Sequence, residues 1–202
     1  EEFYDACDRY GIVVWQDFWL ANPWDGPDPD DSAMFLRNVK DYVLRIRNHP
    51  SIGLYVGRNE GFPPKVIDDG IRATLKASHP GMHYISSSAD QVVSGHGPYA
   101  VQPTKYYFTE RASPQFHSEM GMPNMVTLDS LKLFLRESDL WPQNSVWGMH
   151  DFTAAGAQNG DSFRGRIAKE YGPAHDLRDW MELAQFVNYE GYRAMYEAQS
   201  KN

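Results

Sequence analysis

Three acidic residues each end a segment that reads as a strand: Asp17 in Trp15-Gln16-Asp17-Phe18, Glu60 in Gly57-Arg58-Asn59-Glu60 and Glu119 in Phe116-His117-Ser118-Glu119. A carboxylate just beyond a buried run loses hydration unless something pairs with it, so acids at such places point toward chemistry. Two carboxyls facing one bond are the tools of acid–base hydrolysis, since one supplies a proton while the other attacks or activates water. Taken singly, each acid reads equally well as a solvated loop residue or an ion-pair partner. Their recurrence at three segment ends carries the reading. Metal chemistry finds no support. His117-Ser118-Glu119 has the H-x-E spacing of zinc deaminases, but that site needs thiolates in a P-C-x-x-C segment and Cys7 is the sole cysteine. No Glu and His pair suited to magnesium accompanies the acids, His49 and His150 read as structural, and no cofactor is expected.

The elements that must position these acids follow from periodicity. Helical stripes alternate with short apolar runs, which implies an α/β fold of parallel strands joined by crossover helices. Phe3, Ala6, Cys7 and Tyr10 mark a first helix closed by Gly11, and residues 12–15 are a continuous apolar run that reads as a strand buried on both faces. A loop rich in Pro and Asp follows, then a helix with Leu36, Val39, Val43 and Ile46 on one face, stopped by Asn48-His49-Pro50. Ile52, Leu54 and Val56 form the second strand. A helix over 64–76 buries Ile67, Ile71 and Leu75, and 82–86 is the third strand. Residues 90–113 show no period and are read as a loop around at most one short strand. Residues 115–119 are read as a strand, 127–136 as a helix with Leu128, Leu131 and Leu135 inward, and 145–150 as a last strand. A long helix closes the chain, with Leu177, Trp180, Ala184, Val187, Gly191 and Ala194 on its buried stripe. In parallel sheets and barrels the C-terminal strand ends, where all three acids fall, are where chemistry is placed.

Composition narrows the partners. The 202 residues are 42% apolar and 23% charged, with a net charge of -8, enough for one real core over the whole chain. Without a concentration of Lys or Arg there is nothing to neutralise phosphates, so nucleic acid is not expected as a partner. No apolar stretch reaches the roughly 18 residues of a membrane span, so no membrane partner is expected either.

At this level of detail the motifs become recognisable. Arg47-Asn48-His49-Pro50-Ser51-Ile52 leading to Gly57-Arg58-Asn59-Glu60 resembles the acid/base signature of glycoside hydrolase family 2, and Ser118-Glu119-Met120-Gly121 resembles its nucleophile strand, usually S-E-[FY]-G. The run from Tyr10 to Phe18 is similar to the third barrel strand of β-mannosidase-like members. Pro98-Tyr99 with Tyr106-Tyr107 resembles a branch containing exo-β-glucosaminidases and plant endo-β-mannosidases. The resemblance implies a (β/α)8 TIM barrel, of which residues 1–202 would be a partial catalytic domain covering about strands three to eight. Strands one and two and the upstream β-sandwich domains of the family would lie outside this sequence. It implies a retaining exo-β-glycosidase, most nearly β-mannosidase-like, with Glu60 as acid/base and Glu119 as nucleophile forming a covalent glycosyl ester. Asn59 would hold the sugar 2-hydroxyl, Asp17 another substrate hydroxyl, and Trp147 an aromatic floor. Tyr106, with Trp19, Trp24 and Tyr107, would line outer subsites, each having ordinary packing as its alternative. Asn59-Glu60 tilts the choice toward mannosidase-like specificity, because exo-glucosaminidases of the related branch carry a different acid there. The alternatives are a β-galactosidase or exo-β-glucosaminidase of the same family, or an incompetent barrel fragment that at most binds sugar. The implied partner is a glycoside or oligosaccharide. An open barrel edge offers a place for self-association. The compartment is not readable, although a periplasmic or secreted parent protein fits the resemblance.

One spacing departs from the pattern. Glu60 and Glu119 are 59 positions apart, whereas three barrel units of about 31 residues would take about 93. Short or missing helices after strands five and six are the expected cause.

Overall fold

A computed structural model describes residues 1–90, 92–112, 114–149 and 163–201. The chain divides into two compact units, 1–96 and 97–202. Unit 1 is built as a run of helices and parallel strands: α1 (Glu2–Tyr10), β1 (Val14–Asp17), α2 (Ser32–Ile46), β2 (Ile52–Arg58), α3 (Lys65–Ser78) and β3 (His83–Ser87). The strands lie side by side in chain order, β1-β2-β3, all parallel. Gln16 sits opposite Tyr55, Asp17 opposite Val56, and Arg58 opposite Ser87. The C-terminal ends of all three strands therefore emerge along one edge of the sheet.

Local chemistry explains the boundaries. Gly11 adopts the left-handed conformation (φ 67°) that ends α1, and the N–H of Ile12 donates to the carbonyl of Cys7 at 2.9 Å. That closure uses the Ile12 amide, so β1 starts at Val14 and not at residue 12 as the apolar run predicts. Ile12 and Val13 are consequently exposed, Val13 by 76%, and its side chain rests over Gly53. Asp31 caps α2 by accepting from the N–H of Met34 at 2.8 Å. Phe35, Val39, Val43 and Ile46 of α2, Ile67, Ile71 and Leu75 of α3, and Phe18 stacked on Tyr55 at 5.6 Å make one apolar core. Gly57 is required where it stands: a Cβ there would fall 2.7 Å from the Ser86 carbonyl oxygen.

Unit 2, among its described residues, is helical: α4 (Thr104–Thr109), α5 (Leu128–Phe134), α6 (Glu137–Leu140), a 3-10 turn at Trp147–Met149, α7 (Phe163–Glu170) and α8 (Leu177–Lys201). α8 is the spine. Trp180, Ala184, Val187, Gly191 and Ala194 are buried as the periodicity predicts, and α4 and α7 pack on it. Buried Asn188 accepts from the N–H of Met125 and donates to the carbonyl of Pro123, both at 2.9 Å, which fastens the irregular segment 122–126 to the helix.

Several sequence expectations change here. Residues 90–113 hold the helix α4 besides bridge residues at Val93 and Val101. Residues 115–119 are not a strand: only Phe116 forms a bridge, and a run with one large apolar residue gives a strand nothing to bury. The helix foreseen over 127–136 is α5, which ends at Phe134; Leu135 and Arg136 are extended before the separate helix α6. The strand foreseen at 145–150 is a turn over 145–149, because Asn144 accepts from the N–H of Val146 through its side chain and from that of Trp147 through its carbonyl; His150 lies outside the described residues. The helix α7 was not foreseen at all. No helix among the described residues is long and apolar enough to cross a membrane.

Candidate active site

Unit 1 brings Asp17, Asn59 and Glu60 to the C-terminal edge of its sheet, as the run ends predict. Asp17 is the last residue of β1, and its carboxylate accepts from the indole N–H of Trp15. Asn59 follows β2, and its N–H donates to the Leu20 carbonyl at 3.1 Å. Glu60 stands next at φ 47°, the left-handed region that costs a side-chain-bearing residue about 1 kcal/mol. Its amide donates to Ser88 Oγ at 2.9 Å, while the Ser88 N–H reaches back to the Arg58 carbonyl at 3.0 Å. The serine just past β3 thus holds the turn that presents Glu60.

Arg58, only 4% exposed, fastens the same corner from below. Its Nε donates to the Ala21 carbonyl at 2.8 Å, and its Nη1 bonds to Asp28 at 2.6 Å and to the Phe62 carbonyl at 3.4 Å. The loop between β1 and α2 is therefore laid against the Glu60 turn. Pro23 of that loop lies so close to Gly61 that a Cβ there would sit 2.7 Å from the proline ring.

In unit 2, Glu119 accepts a hydrogen bond from the Tyr99 hydroxyl at 2.7 Å. The N–H of Gly121 donates to the Pro98 carbonyl at 2.9 Å, so the two segments are clamped together on either side of this pair. Glu119 lines a groove of about 690 Å³ together with Phe116, His117, Tyr192 and Tyr196. Of the remaining two expected residues, Trp147 is buried in the core and Tyr106 is partly buried. Trp147 is 3% exposed, its indole N–H donates to the Asp139 carbonyl at 2.9 Å, and its ring meets Trp180 edge to face at 5.1 Å. An aromatic floor needs a free face, and Trp147 has spent both edge and face on the core. Tyr106 is a partly buried α4 residue packed edge-on against Tyr107 at 5.6 Å.

Sequence reasoning missed Ser88 and Arg58 as supports, and quoted Tyr99 only as part of a motif. The Ser86-Ser87-Ser88 run at a strand end was the available signal for the first. Nothing in the composition of β2 marks Arg58 as buried.

Among the described residues, one group could hold a metal: Asp5 and Asp8 of α1 with His49 place possible ligand atoms within 4.8 Å of one another. His49 Nδ1 lies 2.7 Å from Asp8 Oδ2, and Asp8 also accepts from the Ser51 N–H at 2.9 Å. This group precedes β2, at the far end of that strand from Glu60, and ties α1 to the Asn48-His49-Pro50 turn.

Comparison with known proteins agrees with the motifs. The chain is 30% identical over 255 aligned positions to the mannosylglycoprotein endo-β-mannosidase of Lilium longiflorum, covering 97% of this chain and 26% of that protein. It is 26% identical to the exo-β-D-glucosaminidase of Streptomyces avermitilis, covering 98% of this chain and 25% of that one. The crystal structure of the β-D-mannosidase from Dictyoglomus thermophilum superposes with a TM-score of 0.77 at 22% identity, over 97% of this chain and 27% of that structure. No family model matches the sequence. The chain's homologues are thus glycoside hydrolases, named as β-mannosidases and exo-β-glucosaminidases, and the chain spans about a quarter of their length. The alignment with the lily protein is longer than the chain itself, so that relative carries residues this chain lacks.

Proposed function

We propose that this chain carries the catalytic carboxylates of a retaining exo-β-glycosidase, β-mannosidase-like in its preference. In this reading residues 1–202 are part of a (β/α)8 barrel, about strands three to eight. The observation that carries it is the Asn59-Glu60 pair at the C-terminal end of a parallel strand, held in a strained turn by Ser88 and flanked by Asp17 on the neighbouring strand. A backbone kept in the left-handed region by its surroundings marks a side chain whose direction matters. The hydrogen bond from Tyr99 to Glu119 supports a role for that carboxylate, and the names of the relatives, one endo- and one exo-acting, support a β-glycosidase.

The chemistry then follows. The Glu60 carboxyl gives its proton to the glycosidic oxygen as Glu119 attacks the anomeric carbon, the C–O bond breaks, and the sugar is left esterified to Glu119. Glu60, now a carboxylate, takes a proton from water, whose oxygen attacks the same carbon and frees Glu119 with net retention. Asn59 holds the 2-hydroxyl through the transition state and Asp17 a second hydroxyl. Trp147, buried in the core, has no substrate role in this mechanism, while Tyr106 would line an outer subsite.

A glucosaminide or galactoside substrate is the alternative, the former favoured by the exo-β-D-glucosaminidase relatives. A fragment that binds sugar without turnover is the other, favoured by the quarter-length coverage. In the fragment, the exposed Ile12 and Val13 beside β1 would be the site of self-association. Incubating the full-length protein with activated 2-deoxy-2-fluoro mannoside, glucosaminide and galactoside analogues, then mapping the adduct by mass spectrometry, tests the mechanism. A label on the Glu119 peptide is expected; no label, or one elsewhere, rejects it.

A further inference from the structure

We propose that Trp24 is the stacking platform for the sugar on the leaving-group side of Glu60, so that β-linked oligosaccharides are preferred over glycosides with small aglycones. The inference rests on the function proposed above, in which Glu60 is the residue that protonates the leaving oxygen.

Trp24 is 75% exposed, whereas tryptophan is on average a highly buried residue type. Trp19 is the instructive contrast: it too is exposed, yet its ring packs on Phe35 at 5.6 Å and Tyr42 at 5.4 Å. Trp24 has one ring neighbour, His96, at 6.5 Å in an edge-to-face arrangement, which covers at most one indole face. Its indole N–H makes no hydrogen bond among the described residues, so it is available to a hydroxyl.

The side chain is exposed, but its backbone is held. Asn22 Oδ1 accepts from the N–H groups of Trp24 at 3.0 Å and Asp25 at 2.8 Å, which closes a tight turn. The preceding residue, Pro23, is the one pressed against Gly61, immediately after Glu60. Arg58 grips the loop on both sides of the turn, at Ala21 and Asp28. Trp24 is therefore registered to the acid/base turn through a two-residue chain of contacts. A sugar ring leaving from Glu60 would meet this aromatic side chain, one residue from the Pro23–Gly61 contact, and the axial C–H groups of a pyranose suit an aromatic face. With the backbone held, only the two side-chain torsions of Trp24 remain to be ordered on binding.

The test compares Trp24→Ala, Trp24→Phe and the unmodified full-length protein on two substrates sharing one sugar: the β-glycosyl fluoride, whose leaving group has no ring, and the β-1,4-linked disaccharide. Mannose is used first, then glucosamine and galactose. Trp24→Ala is expected to lower kcat/KM for the disaccharide roughly 10-fold while changing that for the fluoride less than about twofold, with Trp24→Phe largely restoring it. An equal loss on both substrates, or none on either, overturns the platform. If the unmodified protein cleaves neither substrate for any sugar, the glycosidase reading fails separately. The platform is then judged by binding: the Trp24 indole N–H signal, assigned with Trp24→Phe, must shift on titration with mannobiose or cellobiose, and an unmoved signal rejects it.

Discussion

Tyr99 donates its hydroxyl proton to Oε2 of Glu119 at 2.7 Å, from a segment that is otherwise loop. The bond engages one carboxylate oxygen of Glu119 and orients the group. Hydrogen bonds to charged groups are worth about 1.5 to 3 kcal/mol. Tyr99→Phe should therefore slow 2-fluoro-glycoside labelling of Glu119 by roughly 10- to 100-fold, with an unchanged circular dichroism spectrum. Labelling at the unmodified rate would remove Tyr99 from the site.

The strained backbone at Glu60 predicts a trade between stability and activity. Glu60→Gly and Glu60→Ala both lack the carboxyl and should both lose hydrolysis. They differ only in what φ 47° costs them, so the glycine variant should be the more stable by about 1 kcal/mol in denaturant unfolding. Equal stabilities would show that the turn relaxes without its side chain.

Acid stability should depend on Asp8. Burial works against its charge, but hydrogen bonds from Ser51 and His49 outweigh that and hold its pKa below the ordinary carboxylate value. A lowered folded-state pKa means that the stabilisation is complete above the unfolded value, near pH 4, and is lost as pH falls through the folded one. Between about pH 5 and pH 2 the unmodified chain should lose more melting temperature than Asp8→Asn does. Parallel curves would mean that the contact contributes nothing in solution.

Arg58 and Asp28 should not be equivalent. Asp28 is half exposed and screened by water, so Asp28→Ala is expected to cost about 1 kcal/mol or less. Arg58→Ala empties a buried volume and strips the Ala21 and Phe62 carbonyls of their donor, which should cost about 3 kcal/mol. Urea unfolding of the two variants decides it, and an Asp28 cost as large as that of Arg58 would contradict this account.

How much of this was legible in the sequence differs between the two units. In unit 1 the runs ending at Asp17 and Glu60 and the stripes of α2 and α3 were read correctly, because buried parallel strands and amphipathic helices impose strong periods on the chain. The exception, Ile12 and Val13, is instructive: apolarity alone cannot report that an upstream helix closure has claimed an amide. In unit 2 only α8 and the Leu131 helix have such periods. Residues 145–149 looked like a strand because Val146 and Trp147 are apolar, while Asn144, accepting through its side-chain oxygen and its backbone carbonyl, decided the backbone. At the candidate site, the sheet places Asp17 and Glu60 at strand ends as their runs predict, whereas Glu119 ends no strand. Ser88 and Arg58 were not foreseen, since a serine is common and an arginine is normally exposed.

The division of labour along β1, β2 and β3 has an evolutionary reading. Val14, Tyr55 and Val56 form the sheet interior, whereas Asp17, Asn59, Glu60 and Ser88 lie at or just beyond the strand ends. The residues that keep the fold and those that would meet a sugar are almost disjoint sets, joined at Arg58. A lineage, or a library, could therefore rewrite the loop between Asn22 and Pro27 many times over and alter what is bound, provided the two Arg58 anchor points at Ala21 and Asp28 stay in register.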